Sequence, residues 1–242
     1  MGLLERRIFG PTQRSSHAMV VEELGRSIVT GRLAEGSILP GDQELMERFD
    51  VSRTVLREAM KTLSAKRLIE AKARVGTRVC SKDTWNMLDA DVIDWRLRDG
   101  IDSEFVTQLA DMRQAIEPAM AALAARHASS EEMVALYAIA ARFDDANHTR
   151  ESIARVDLEF HLAIARMSRN PFMRSASSLI EAALAVSFQI SSPALSREGI
   201  ARCAADHLKI AHAIASRDEG KARAAMIHVI DEGVVRTLAA LS

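Results

Sequence analysis

Aromatic residues are scarce in this chain of 242 residues: Phe, Trp and Tyr together make up 4%. That shortage, beside abundant Ala, Leu, Ile, Met, Glu and Arg, favours helices over sheets. Cysteine is nearly missing too. Cys80 and Cys203 lie far apart with no paired spacing, which argues against a disulfide framework or a zinc ribbon and for a reducing compartment. No apolar run approaches the roughly 20 residues needed to span a bilayer. The N-terminus also lacks the apolar stretch of a signal peptide, so a soluble, cytoplasmic protein with no membrane partner is expected. No internal repeat or low-complexity tract is evident. What remains, 48% hydrophobic and 27% charged, suffices for one large core or two smaller ones.

The net charge of -1 hides an asymmetry. From Ser52 to Lys82 the basic residues are Arg53, Arg57, Lys61, Lys66, Arg67, Lys72, Arg74, Arg78 and Lys82, against the acids Glu58 and Glu70. Such a local surplus attracts a polyanion through counterion release. Within it, Val51-Ser-Arg-Thr-Val-Leu-Arg-Glu-Ala-Met60 is the most informative stretch. Ser52 can cap a helix whose Val55, Leu56, Met60 and Leu63 recur on one face. Ser52, Arg53, Thr54 and Arg57 are then left outward near its N-terminus, where a recognition helix meets base edges and phosphates. A solvated charged face is the bland alternative. The surrounding turn, hairpin and charge surplus weigh against it.

The spacing divides the chain into a polar arm over 1–15, a winged helix-turn-helix domain over 16–82, a linker helix over 83–100 and a helical domain over 101–242. In the second of these, Leu68-Ile-Glu-Ala-Lys72 and Thr77-Arg-Val-Cys80 alternate as strands of a hairpin. Lys72, Arg74 and Gly76 sit at its tip, where glycine would let the backbone approach a groove closely. Beyond Gly100 the pattern is helical throughout, over roughly 102–127, 130–146, 150–168, 171–191, 196–216 and 219–240. The fold expected is therefore mostly α: a winged domain with a small β-hairpin, then an all-α six-helix antiparallel bundle joined by short loops. Met112, Met120, Met133, Met167, Met173 and Met226 are expected in the bundle core.

Asp157 and His161 lie one helical turn apart, and His207 stands beside Asp206 on a later helix. A carboxylate with imidazoles suits zinc, nickel or manganese. The same groups could instead form a metal-free polar cluster that hydrogen-bonds a ligand directly.

These segments resemble the GntR family of bacterial transcription regulators, and in particular its FadR-like branch with an FCD effector-binding domain. The likeness runs through Gly36-Ser-Ile-Leu-Pro40, Glu44-Leu45, Val51–Met60, Arg67-Leu-Ile69 and Gly76-Thr-Arg-Val79. It continues through Arg113-Gln-Ala-Ile-Glu-Pro118, Asp157-Leu-Glu-Phe-His161, Asn170-Pro171 and Asp206-His207. The stretch Trp85–Trp95 is similar to a subgroup regulating sugar-acid catabolism, galactonate-type regulators included. Gln43 stands where the family often carries a DNA-contacting arginine, and Val229 where it usually carries a fourth metal ligand. His228, next to Val229, is about 100° away around the helix and would need a local shift to take that role. The resemblance further implies that Arg113 faces the bundle cavity and pairs with an organic acid, as a planar fork can. An ion pair with Glu117, four residues on, is the alternative.

The function expected is a homodimeric DNA-binding regulator, a repressor, that binds double-stranded operator DNA. A small carboxylate effector, a sugar acid or hydroxycarboxylate, would bind at Arg113, Asp157, His161 and His207. A metal-dependent helical-bundle enzyme with an incidental basic domain is the other reading. A carboxylate-bridged di-iron bundle needs Glu-x-x-His on two helices, and no histidine here follows a glutamate by three residues. No nucleophile–base arrangement stands out either, so no enzyme is expected.

Overall fold

The computed structural model describes residues 15–242, so the expected arm over 1–15 lies outside the described residues but for Ser15. The chain divides into two compact units, one ending at Gly100 and the other running from Ile101 to Ser242.

In the N-terminal unit, Ser15 starts α1 (Ser16–Val29) by accepting a hydrogen bond from the Ala18 amide. A short α2 (Asp42–Phe49) ends at Asp50 in the left-handed conformation, φ 51°. That turn leads into α3 (Arg53–Ala65), where the Ser52 hydroxyl accepts from the Val55 amide at 3.4 Å. Leu56, Ala59 and Leu63 form the buried face of α3 and pack with Val20, Leu24, Ile28 and Leu45. The hairpin pairs β1 (Ile69–Lys72) with β2 (Gly76–Val79) antiparallel, Ile69 opposite Val79 and Lys72 opposite Gly76. Ile38 bridges to Arg78 on the outer side of β2. At the tip Gly76 has φ 117°, a backbone conformation that L side chains rarely adopt.

Residues 83–100, expected as a linker helix, overlap a 3-10 turn at Lys82–Thr84 and become α-helical only from Ala90: α4 (Ala90–Asp99), capped by Asp89. This helix is not free of the N-terminal unit. Trp95 is buried in the same core as α1 and α3, and its indole N–H donates to Glu22 at 2.8 Å. Lys66, the C-cap of α3, donates to Asp89 at 2.7 Å and to Asp91 at 2.7 Å. Leu88, just before the Asp89 cap, is exposed.

The second unit is a bundle of α5 (Ser103–His127), α6 (Ser130–Ala141), α7 (Arg150–Met167), α8 (Pro171–Arg174), α9 (Ser177–Ser191), α10 (Arg197–Ala215) and α11 (Glu219–Ala239). Side-chain caps at Asp102, Ser129, Thr149, Asn170, Ser196 and Asp218 start six of these helices. Helix α5 packs along α11, and α10 also packs on α11. The span expected as one helix over 171–191 is two, because the chain turns at Ser175 and Ala176. The helix expected over 130–146 ends at Ala141. After it, His148 Nε2 meets the Arg142 carbonyl at 2.8 Å and Asp145 accepts from the Asn147 amide. These local bonds compete with the helical ladder.

Met120, Met167 and Met226 are buried as expected, but Met112 is exposed and Met133 and Met173 are only half-buried. Ser177–Leu195 is 19 residues with mean hydropathy 1.3, long and apolar enough to cross a membrane by composition. That window is 67% buried within the protein, and it serves as the core helix of the bundle.

Candidate functional sites: a basic helix face and a bundle cavity

The geometry of α3 leaves Ser52, Arg53, Thr54 and Arg57 exposed on the side away from Leu56, Ala59 and Leu63. No acidic residue stands in its first turn, so nothing on the helix itself neutralises the partial positive charge of its free amides. Arg57 Nε lies 3.6 Å from Glu58, which also accepts from Lys61 at 2.9 Å. The Lys61 hydrogen bond holds the Glu58 carboxyl below its usual range. At the hairpin tip Lys72, Arg74 and Gly76 are all exposed, and Lys72 Nζ sits 3.0 Å from Glu70. Gln43 is exposed and donates to Glu47 at 3.1 Å.

In the bundle, a cavity of about 410 Å³ is lined by Arg113 from α5, Asp157 and His161 from α7, His207 from α10 and Arg236 from α11. Asp157, His161 and His207, far apart in sequence, are thus brought together and buried. His207 Nε2 lies 2.7 Å from Asp157 Oδ1, and His161 Nε2 lies 3.8 Å from the same oxygen. Their other ring nitrogens are occupied. His207 Nδ1 meets the Cys203 carbonyl at 2.7 Å, and His161 Nδ1 meets the Glu117 carboxylate. Acceptors at both Nδ1 atoms place the proton there in the neutral rings and leave Nε2 as the lone pair. Neither Nε2 makes a properly directed hydrogen bond among the described residues; the 2.7 Å approach of His207 to Asp157 is close but misaligned. Phe143 stacks on His207 with centroids 4.1 Å apart and fixes the ring plane.

Burial alone would raise the carboxyls of this cluster. For Glu117 it is outweighed by Arg113 and His161, which hold the carboxyl at about 2. For Asp157 it is outweighed by His207, His161 and Arg113, again giving about 2. His207 moves the other way: burial disfavours its cation, but Cys203 and Asp157 push its pKa well above the usual value.

In their neutral forms the two buried imidazoles would turn Nε2 lone pairs toward one carboxylate oxygen, a donor set that fits a divalent cation. Asp157, Cys203 and His207 also offer donor atoms within 4.8 Å of one another and could hold a divalent metal. The Cys203 thiol lies on the Nδ1 side of His207, 3.6 Å from that nitrogen. His161 Nε2 and His207 Nε2 are both without a directed hydrogen-bond partner among the described residues, and the Cys203 carbonyl orients His207.

His228 is not brought to this cluster. Its ring is half exposed with Nε2 3.5 Å from Asp206, and Val229 lines the cavity in its place. The separation around the helix is the reason. Arg113 does line the cavity, but its Nε and Nη2 are engaged by Glu117. The i,i+4 pairing considered from sequence is thus formed. Sequence reasoning missed Cys203, Arg202 and Arg236. Cys203 stands four residues before His207, a spacing that signals a shared helix face; the arginines carry no comparable local sign.

Among known proteins, residues 17–79 match the family described as bacterial regulatory proteins, gntR family, and residues 108–232 match the FCD domain. The chain is 35% identical over 158 residues to the galactonate operon transcriptional repressor of Escherichia coli, covering 65% of this chain and 69% of that one. It is 36% identical over 169 residues to the HTH-type transcriptional regulator YieP of Escherichia coli, covering 69% of this chain and 74% of that one. The solved structure of Lar, described as controlling the Listeria monocytogenes agr system, aligns with a TM-score of 0.63 at 19% identity. That alignment covers 95% of this chain and 99% of Lar, and it speaks for the fold. The basic helix face with its hairpin and the effector-type bundle thus have one reading: the chain is a DNA-binding transcription regulator, not an enzyme, and belongs to the GntR family with an FCD domain.

Proposed function

We propose that this regulator is a repressor released from its operator by a small organic acid, a sugar acid or hydroxycarboxylate, that enters the bundle cavity. The observation that carries the reading is the buried convergence of Asp157, His161 and His207 on the cavity wall. Burying such groups costs stability unless they are satisfied or used. A relative that regulates a galactonate operon supports an aldonic acid as the first effector to try.

Residues 16–82 form the DNA-binding domain, with 83–100 leading to the effector and dimerisation domain over 101–242. Arg53 and Arg57 enter the major groove, one as a fork on guanine and the other on phosphate. Ser52 and Thr54 donate to phosphate or base edges, while Lys72, Arg74 and Gly76 approach the minor groove. One such module makes few contacts, so a homodimer on a two-fold symmetric operator supplies the affinity. Asp157, His161 and His207 would hold a divalent ion, with Glu117 and the Cys203 carbonyl orienting the rings. A metal bound there would supply a Lewis-acid site for an effector oxygen. Arg113 adds positive field at the same wall while holding Glu117.

A thermal-shift screen of aldonic, uronic and hydroxy acids, with and without chelator, tests this reading. At least one acid should raise the melting temperature, less so after chelation, and should release the protein from its promoter fragment. If no carboxylate shifts the melting temperature and chelator has no effect, the reading fails.

A further inference from the structure

Three arginines line the cavity, and they differ in what they are doing. Arg113 spends Nε and Nη2 on Glu117. Arg202 pairs with Glu198 at 2.7 Å and is largely exposed. Arg236 is engaged by neither kind of partner. Its Nε donates to the Ser191 carbonyl at 2.6 Å, and no carboxylate among the described residues comes within ion-pair distance of it. Burial pushes its guanidinium below the usual arginine range, with Cys203, Asp157 and Glu232 only partly offsetting that.

A part-buried guanidinium with no carboxylate paired directly to it is a cost to the empty protein that a bound anion relieves. The bond to Ser191 fixes the plane of the fork, so the outer pair of N–H groups is oriented in advance for a carboxylate. The helix around it is shaped to match. Gly233 sits inside the 21-residue α11, where a glycine costs about 1 kcal/mol relative to alanine. A Cβ there would stand 3.9 Å from Arg236 Nη2 and 3.9 Å from Ser187 Oγ. Any longer side chain would occupy the cavity space in front of the fork.

We infer that Arg236, with its fork held by the Ser191 carbonyl and approached across Gly233, is the residue that grips the effector's carboxylate. This rests on the proposed acid effector and names the group that recognises it. It also sets the specificity: the ligand presents its acid group to α11 and other oxygens to the Asp157 wall. Neutral polyols of the same length are disfavoured, because they bring no charge to pair with the guanidinium.

Calorimetric titration of the full chain with D-galactonate, D-gluconate, D-galactarate and citrate tests this, using wild type, Arg236→Gln and Arg236→Lys. Whichever acid binds wild type should bind Arg236→Gln about 30-fold or more weakly, the loss expected for a charge-assisted bidentate contact. Arg236→Lys should fall between, since a point charge lacks the fork. A helix-capping role alone would lower the urea midpoint of the glutamine variant and leave its acid affinity within about threefold of wild type; that result overturns the inference while leaving the acid effector intact. If none of the four acids binds wild type, the effector reading falls and this inference with it. Should Arg236→Gln fail to fold, phenylglyoxal labelling of wild type decides. A bound acid must protect Arg236 in the peptide map, and unchanged labelling overturns the assignment.

Discussion

Glu117 carries the polar wall of the cavity from behind. It binds Arg113 and His161 at once, is 1% exposed, and is held as the carboxylate at about 2. Replacing it by glutamine keeps the shape but strands the Arg113 charge in the interior. Breaking a buried pair in this way costs about 3–5 kcal/mol, so Glu117→Gln should lower the urea midpoint strongly. It should also weaken metal binding, because the single amide oxygen cannot accept from both Arg113 and His161; a variant as stable as wild type would refute the geometry. The pH dependence follows from the same groups. Glu117 and Asp157, both held at about 2, contribute stability that is present above their ordinary values near 4 and lost as pH falls toward 2. His207, raised well above its usual value, contributes stability that is full below about 6.5 and lost as pH rises through its folded value. Chelator-treated protein should therefore be most resistant to urea between about pH 4.5 and 6.5. Measuring midpoints at pH 3, 5.5 and 8 checks this, and a maximum at pH 8 would contradict it.

At the scale of elements, α4 is joined to the rest of the N-terminal unit by the Lys66–Asp89–Asp91 group, by Arg98 to Glu22 at 3.3 Å and by the packing of Trp95 on α1. Gly25 makes the Trp95 packing possible. A Cβ at that position would fall within the Trp95 ring, which is buried and has no room to retreat. Gly25→Ala, ordinarily stabilising in a helix, should here cost about 1–3 kcal/mol or more through overpacking, read from chemical denaturation. An unchanged midpoint would mean that Trp95 does not sit against α1. Much of this level was legible in the sequence because capping is local chemistry. Ser52, Ser129, Thr149, Asn170 and Asp218 announce helix starts within four residues of themselves. The break between α8 and α9 was not legible, since Ser175 and Ala176 carry no proline or glycine signal. Nor was the place of α4: an amphipathic stripe shows that a helix buries one face, not which partner covers it. The same limit applies to the cavity. Asp157 and His161 share a helix and could be paired by spacing, whereas Arg236 meets Ser191 only through the packing of α11 on α9.

For the whole molecule, the proposed DNA face and the proposed acid site belong to different compact units, so regulation is a coupling between them. The DNA side is tested by salt. If Arg53 and Arg57 meet the duplex, removing a phosphate contact should flatten the slope of log K against log salt by about 0.9. Removing the guanine contact should cost about 1–3 kcal/mol and relax specificity at one base pair. Arg53→Ala and Arg57→Ala proteins that retard promoter DNA like wild type would end the assignment. The coupling itself is tested by reciprocity. An acid that weakens operator affinity by a given factor must itself bind the operator-bound protein more weakly by that same factor. Typical couplings run about 5- to 150-fold. Titrating the stabilising acid into free protein and into operator-saturated protein should therefore give dissociation constants that differ by the factor seen in DNA titrations with and without acid. Equal constants in the two titrations would mean that the cavity does not control the helix face, however tightly the acid binds, because a ligand with no preference between two states shifts neither.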